Sequence, residues 1–382
     1  MLDEIRSLFK DGDYEGKVEF LLLGPWCGEF SYETNWWIPE CRLQVDKYSS
    51  DDDKKMIVVV VGELGSQPLY RDFCDYYIPI PHNFGDEHGK EIKIPEMRDT
   101  WARRSDNKNV MMAEIPKPIQ DFYNHICNKC GEYGEVYKYS PSEYIKDKRY
   151  MERPAGIIEY YTPPLKELNL VKDMIQNGIH KGLKHGRKPL ISIFAKQRYR
   201  QGELDFESWS PKLWEEFMIR LDEFGVNILN FVIEGSAGFL ELDEEVVKKY
   251  PHINQVIVKN DVPVPLIDCM AEKTILGYQM AVLELTDMSI WGSTGACTLN
   301  YFMKYRKPMF VQHNKNDVWR QQFEWMRDIT QDLHQIHFFD KYKRNEMENI
   351  PVDEMIDEFR GWLKSDFKYV SNEEFIKKVE KE

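Results

Sequence analysis

Hydrophobic residues along this chain gather into short runs of β-branched and aromatic side chains, separated by longer stretches with helical spacing. In the first half, Val18 to Gly24 is one run, Lys55 to Val61 (KMIVVVV) a second, and Tyr76 to Pro81 a shorter third punctuated by prolines. Runs that are apolar at every position predict strands covered on both faces, and so a parallel sheet. Trp36 to Leu43 reads as a helix, Pro116 to Gly131 as a helix opened by proline, and Glu135 to Tyr139 as a strand.

The second half repeats the rhythm more clearly. Strands are predicted at Pro189–Ala195, Val226–Ile233, Val256–Val258, Asp287–Trp291 and Pro308–Val311. Helices are predicted from Pro211 to Phe224, from Leu266 to Thr286 and across Leu299–Met303, with Pro211 at a first helical position. Strands alternating with helices mean doubly wound α/β architecture. The rhythm breaks over residues 153–188, a proline-bearing, then basic, stretch that reads as a helix, a linker and the entry to the second domain. We therefore expect a first Rossmann-like domain over residues 1–165, a linker over 166–188 and a second domain over 189–345. A charged amphipathic tail, 346–382, should be helical and pack back on the body.

Length and composition agree with two domains: 382 residues, 42% hydrophobic and 30% charged. The net charge of -14 disfavours a protein that coats DNA or an anionic membrane, although it leaves a local basic site open. The opening MLDEIRSLFKDGDYEGK lacks the apolar core of a signal peptide, no run of about 18 apolar residues exists, and the seven cysteines are scattered. Together these read as a cytoplasmic protein with reduced thiols. Cys127 and Cys130 form a lone CxxC; with His125 they still lack a fourth ligand, so no metal is expected there.

Two segments carry anion chemistry. The strand at Ile191–Ala195 runs into Lys196, Arg198 and Arg200, which share one face if the chain stays extended. Arginine offers a bidentate fork to phosphate, lysine a point charge. The strand at Asp287–Trp291 runs through Gly292 into Ser293, Thr294 and Gly295, a turn of small residues that opens a helix. Free N–H groups at such a turn favour a diphosphate. Glu234, just past another strand, is either an acceptor for ribose hydroxyls or a plain loop acid.

A third segment carries carboxylates. After the first strand comes GPWCGEFSYE, with Glu29 and Glu33 among Trp26, Phe30 and Tyr32. A carboxylate held among aromatics loses solvation and gains basicity, as a general base requires. The same acids also suit the start of the following helix, so base and cap both remain open.

The order of strand, cationic loop, Trp209 segment, helix, strand, and late strand–Gly–Ser–Thr–Gly–helix before Lys307-Pro308 resembles the C-terminal half of GT-B glycosyltransferases, closest to the heptosyltransferase-like group. GPWCGEFSYE resembles the first loop of their acceptor domain. The resemblance spans the organisation of residues 18 to 345, without the Gly-rich dinucleotide fingerprint, and with Ser293 where an acid often precedes Thr and Gly. It implies two Rossmann-like domains facing across a cleft and a metal-independent transferase that needs no cofactor beyond its nucleotide-sugar co-substrate. Lys196, Arg198, Arg200, Glu234, Ser293, Thr294 and Gly295 would hold the donor. Glu29, or Glu33 in reserve, would be the base, and Trp26, Phe30 and Tyr32 would line the acceptor site. The acceptor would be a glycan precursor, or a hydroxymethylated base in bacteriophage DNA, with Arg103, Arg104, Lys108 and Lys117 touching the backbone. A nucleotide-sugar epimerase of the same fold and a non-catalytic nucleotide-binding module are the alternatives.

Overall fold

The computed structural model describes residues 18–26, 30, 33–49, 55–63, 65–81, 83–85, 91–93, 115, 117–141, 143, 161–179, 190–196, 199–200, 203–204, 209–223, 226–234, 239–250, 252–258, 275–292, 295–303, 308–312, 336–339, 341–342, 346 and 350–365. The chain forms two units, Met1–Glu159 and Tyr160–Glu382.

The first unit is built on β1 (Val18–Trp26), β2 (Lys55–Glu63), β3 (Tyr76–Ile80) and, after the small antiparallel pair β4 (Asn83–Gly85) and β5 (Glu91–Lys93), β6 (Glu135–Tyr139). The main sheet has the order β3-β2-β1-β6 and all its pairings are parallel. Phe20–Leu23 and Val58–Val61 are buried along their whole length, as uninterrupted β-branched and aliphatic runs predict. Helix α1 (Ile38–Tyr48) follows a π-helical turn at Glu33–Trp37, so helical structure begins earlier and runs later than the predicted Trp36–Leu43. Helix α2 (Lys117–Gly131) turns Ile119, Tyr123, Ile126, Cys127 and Cys130 inward. Gly24 has a φ of 128°, and a Cβ there would sit 2.3 Å from the Val61 carbonyl oxygen, so only glycine lets β1 bend beside β2.

The second unit opens with α3 (Leu165–Ile179), continues through β7 (Leu190–Phe194), the short hairpin of β8 (Tyr199–Arg200) and β9 (Glu203–Leu204), α4 (Pro211–Glu223), β10 (Asn227–Ile233), α5 (Glu244–Lys249), β11 (Ile253–Val258), α6 (Leu276–Leu285), β12 (Met288–Trp291), a 3-10 helix at Gly295–Phe302, β13 (Met309–Gln312) and β14 (Ile336–Phe339), and ends in α7 (Val352–Ser365). Much of the stretch assigned to a linker is therefore α3, which packs on α6 as part of this unit. The sheet has the order β11-β10-β7-β12-β13-β14 and is parallel throughout. Counted along the chain this is the doubly wound order 3-2-1-4-5-6, which reverses direction between β7 and β12.

One face of this sheet holds Ile191, Ile193, Ile290 and Phe310 against Trp209, Trp214 and Phe217. Helix α7 adds Met355, Ile356, Phe359 and Trp362 to that core, and Arg220 on α4 bonds Asp353 at 2.9 Å. The start of the tail thus packs into the second unit, while residues 366–382 lie outside the described residues. Among the described residues, no helix is long and apolar enough to cross a membrane.

Candidate functional site

In open parallel sheets, ligands bind where the strand order reverses, outside the carboxyl ends of the strands. In the second unit that point is the β7–β12 pair, joined by the register Phe194↔Trp291. Backbone follows the same path just beyond it: the Gly292 N–H donates to the Phe194 carbonyl at 3.0 Å. A Cβ on Gly292 would lie 3.1 Å from the Lys196 backbone nitrogen and 3.3 Å from the Trp214 ring. Lys196 and Gly292, distant in sequence, are therefore neighbours at the switch point.

Strand β7 does not continue as a ladder to Lys196. Strand β7 stops at Phe194, the Lys196 N–H turns back to the Phe194 carbonyl at 2.8 Å, and Lys196 makes an isolated antiparallel bridge with Phe239. Arg200 belongs to a separate hairpin, opposite Glu203. Lys196 therefore leaves the strand at a turn and Arg200 lies in a separate hairpin, and whether the three cations share a face lies outside the described residues. Lys196 is buried, 9% exposed, against the glycine strand end. Arg198, Ser293 and Thr294 lie outside the described residues, and Gly295 begins the 3-10 helix. Glu234 stands on the same edge, one strand over, exposed, with its N–H bonded to the Val258 carbonyl.

The first unit reverses between β1 and β6. Trp26 ends β1 and stacks on Trp37 (5.6 Å), which stacks on Tyr139 at the end of β6 (6.1 Å). The Tyr139 hydroxyl donates to Glu40 at 2.8 Å, and Gln44 donates to the same oxygen at 2.7 Å. Glu33 is fully buried. Its carboxylate accepts from the Tyr70 hydroxyl at 2.8 Å and the Ser66 hydroxyl at 3.2 Å, tying the π-helical turn to the 3-10 turn (Gln67–Leu69) after β2. Burial first, then the charge of Glu33, pushes the hydroxyls of Tyr70 and Tyr77 well above the ordinary tyrosine value, so both remain donors. Phe30 is buried and its carbonyl accepts from Thr34. Glu29 and Tyr32 lie outside the described residues.

Residues that the sequence reading passed over also sit here. Tyr139, Glu40, Ser66 and Tyr70 carry no local signal of their own; only the strand order brings them beside Trp37 and Glu33. Of the basic residues considered for a nucleic-acid backbone, Lys117 pairs with Asp121 on the exposed side of α2, while Arg103, Arg104 and Lys108 lie outside the described residues. The CxxC thiols are buried on α2; burial raises Cys127 and pushes Cys130 up to about 11, so both stay protonated near neutral pH. Among the described residues no cluster of three metal-ligating side chains forms.

No protein-family model matches the chain, and no curated protein matches it. Among solved structures, the chain is similar to a glycosyl transferase family 9 protein from Veillonella parvula, with 11% identity over 91% of this chain and 97% of that one, at a TM-score of 0.49. It is similar to the ADP-heptose lps heptosyltransferase II of E. coli, with 11% identity over 90% of this chain and 98% of that one, at 0.42. The E. coli heptosyltransferase WaaC with ADP-2-deoxy-2-fluoro heptose gives 10% identity over 90% and 99%, at 0.43. At those scores the likenesses are distant.

Proposed function

We propose that the protein is a metal-independent glycosyltransferase of GT-B type that moves a sugar from a nucleotide-diphosphate sugar to an acceptor hydroxyl. The observation that carries the reading is the meeting of Lys196 with the Gly292 strand end at the switch point of a 3-2-1-4-5-6 sheet. A lysine whose backbone adjoins Gly292, where the sequence runs on into small residues, is suited to a diphosphate, whose oxygens take both charge and N–H groups.

In this reading the second unit holds the donor. Lys196, Arg198 and Arg200 with the Ser293–Gly295 turn engage the diphosphate, and Glu234 accepts from the ribose hydroxyls. As the C1–O bond to the diphosphate breaks, the leaving group takes the electron pair and the cations stabilise its growing charge, the task a metal performs in other enzymes. The acceptor oxygen forms the new bond to C1, and its proton passes to a carboxylate of the first unit. Glu29 is assigned that role. Glu33, enclosed and already bonded by two hydroxyls, is the reserve candidate and would have to give up those bonds to act. Trp26, Phe30 and Tyr32 border the acceptor. Trp26 and Phe30 are themselves buried, which suits the wall of a site better than its contact surface.

The acceptor is assigned to the hydroxyl of a glycan precursor; the net charge of -14 disfavours a hydroxymethylated base in phage DNA. A panel of nucleotide sugars in thermal melting tests the donor, since saturation at 100 times Kd adds about 2.7 kcal/mol to the native state. No shift with any member would sink the donor site. Release of nucleoside diphosphate that depends on added glycan supports transfer. Release that needs hydroxymethylated DNA moves the acceptor to DNA, and sugar isomerisation without acceptor identifies an epimerase. Binding without turnover leaves a binding module.

A further inference from the structure

Gln312 is the last residue of β13, fully buried, and both its amide nitrogen and amide oxygen lack a hydrogen-bond partner among the described residues. Buried polar groups are nearly always paired, and one left with two unsatisfied atoms calls for an explanation. Its position supplies one. The register Trp291↔Val311 puts Gln312 one step further along, beside Gly292, with Phe339 of β14 opposite on the other side. Strand alternation places Gln312 on the face of Phe310, the face covered by Trp209 and Trp214. Trp214 reaches to within 3.3 Å of where a Gly292 Cβ would be, and the indole N–H groups of Trp209 and Trp214 are likewise buried without a partner among the described residues.

We infer that Gln312 is a specificity-determining residue that recognises the hydroxyls of the transferred sugar. The inference rests on the donor reading above, because it places the sugar next to a diphosphate held at Lys196 and the Gly292 turn. An amide offers a donor and an acceptor side by side. A sugar hydroxyl both donates and accepts, so a pair of hydroxyls satisfies both amide atoms, whereas a phosphate, which only accepts, would satisfy one. Gln312 ends its strand at the carboxyl edge, the edge at which the diphosphate is held in that reading. No charged side chain is needed, which matches a neutral sugar and not a second anion.

The test compares Gln312→Met, which keeps length and removes the amide, with the native protein. Calorimetry is run with ADP, UDP, GDP and dTDP and with their glucose conjugates, and melting is followed without ligand. The variant should melt higher than the native protein, because an unpaired buried amide has been removed. It should bind the nucleoside diphosphate equally and the best-bound sugar conjugate about tenfold more weakly, equivalent to about 1.4 kcal/mol. Gln312→Asn, which keeps the amide but shortens its reach, should show the same split and serves if the methionine variant folds poorly. Equal binding of the sugar conjugate by native protein and variants overturns the inference while leaving the donor site intact. Equal loss of diphosphate and conjugate also overturns it, since the amide would then serve the phosphates or the fold. If the native protein binds no nucleoside diphosphate at all, the donor reading falls and this inference falls with it.

Discussion

The two units share one plan and differ in what they place at the same point of it. Both are parallel sheets whose order reverses beside the first strand, between β1 and β6 in one and between β7 and β12 in the other. At the carboxyl edge of the first, the described side chains are carboxylates, hydroxyls and stacked rings: Glu33 with Ser66 and Tyr70, Glu40 with Tyr139, Trp26 on Trp37. At the carboxyl edge of the second, the described features are a buried lysine, a glycine strand end and an amide without a partner. One edge gathers groups that accept protons and the other gathers groups that accept negative charge. A parallel sheet supplies the location of a site, and the few residues past each strand decide its chemistry.

The sharpest way to break that contrast is at the acid. Glu29→Gln should leave calorimetric donor binding unchanged and slow transfer by about 10²–10⁴-fold, the range for a positioned base. Near-normal turnover, together with a loss for Glu33→Gln, would move the role to Glu33. Full activity in both would make the edge of the first unit purely structural.

Next comes the backbone that shapes that edge. Gly24→Ala should lower unfolding stability by about 1–3 kcal/mol or more in denaturant titration, because it combines a positive φ with an approach of 2.3 Å to the Val61 carbonyl. An unchanged midpoint would show that β1 can pass β2 without the glycine. On the other unit, Arg198→Ala should weaken nucleoside diphosphate binding by about 1.5–3 kcal/mol with the melting temperature preserved. Unchanged binding would remove the cationic loop from the donor site.

A smaller effect probes how α7 is held to the second unit. Glu358 on α7 accepts from His337 at 2.9 Å and is paired with Lys341. Burial acts to raise its carboxyl, but the bonds from Lys341 and His337 outweigh it and hold it below the usual carboxylate range. A depressed carboxylate stabilises the fold above its unfolded value and loses that contribution as pH falls through the folded value. Glu358→Gln should therefore cost about 0.2–1 kcal/mol at pH 7 and less at acid pH, as the carboxyl protonates in the folded state, in line with a solvent-screened pair. An equal cost at both pH values would mean that the residue acts by shape alone. The smallest expected change is none: with Lys196, Arg198 and Arg200 proposed in the role of a cation at the leaving group, transfer should survive EDTA. Activity lost to EDTA and restored by magnesium would overturn this.

Much of the fold is legible along the chain because hydrogen-bonded elements are local and announce themselves by period. KMIVVVV reads as a covered strand, Ser210-Pro211 as a helix start and Glu135–Tyr139 as a strand, each with its observed partner found only in space. Other elements give weak signals. Ile336–Phe339 sits in a charged stretch and becomes β14 because β13 offers it a ladder, and Glu244–Lys249, capped by Asp243, is too short for a period to show. The alternating cations Lys196 and Arg200 suggested a single strand, yet Phe194 ends β7 and the chain turns, which no local preference reveals.

The sequence by itself determined the element types, the parallel class of both sheets, the acidic charge and which loops carry cations, glycines and carboxylates. Those follow from periodicity, β-branching and composition, all properties of neighbours along the chain. Only the tertiary structure decided that Lys196 lies against Gly292, that Glu33 is closed in by Ser66 and Tyr70, and that Gln312 ends beside Gly292 with its amide lacking a partner among the described residues. Those depend on strand order and register, fixed by hydrogen-bond ladders and core packing between segments far apart in sequence, and no local pattern encodes them.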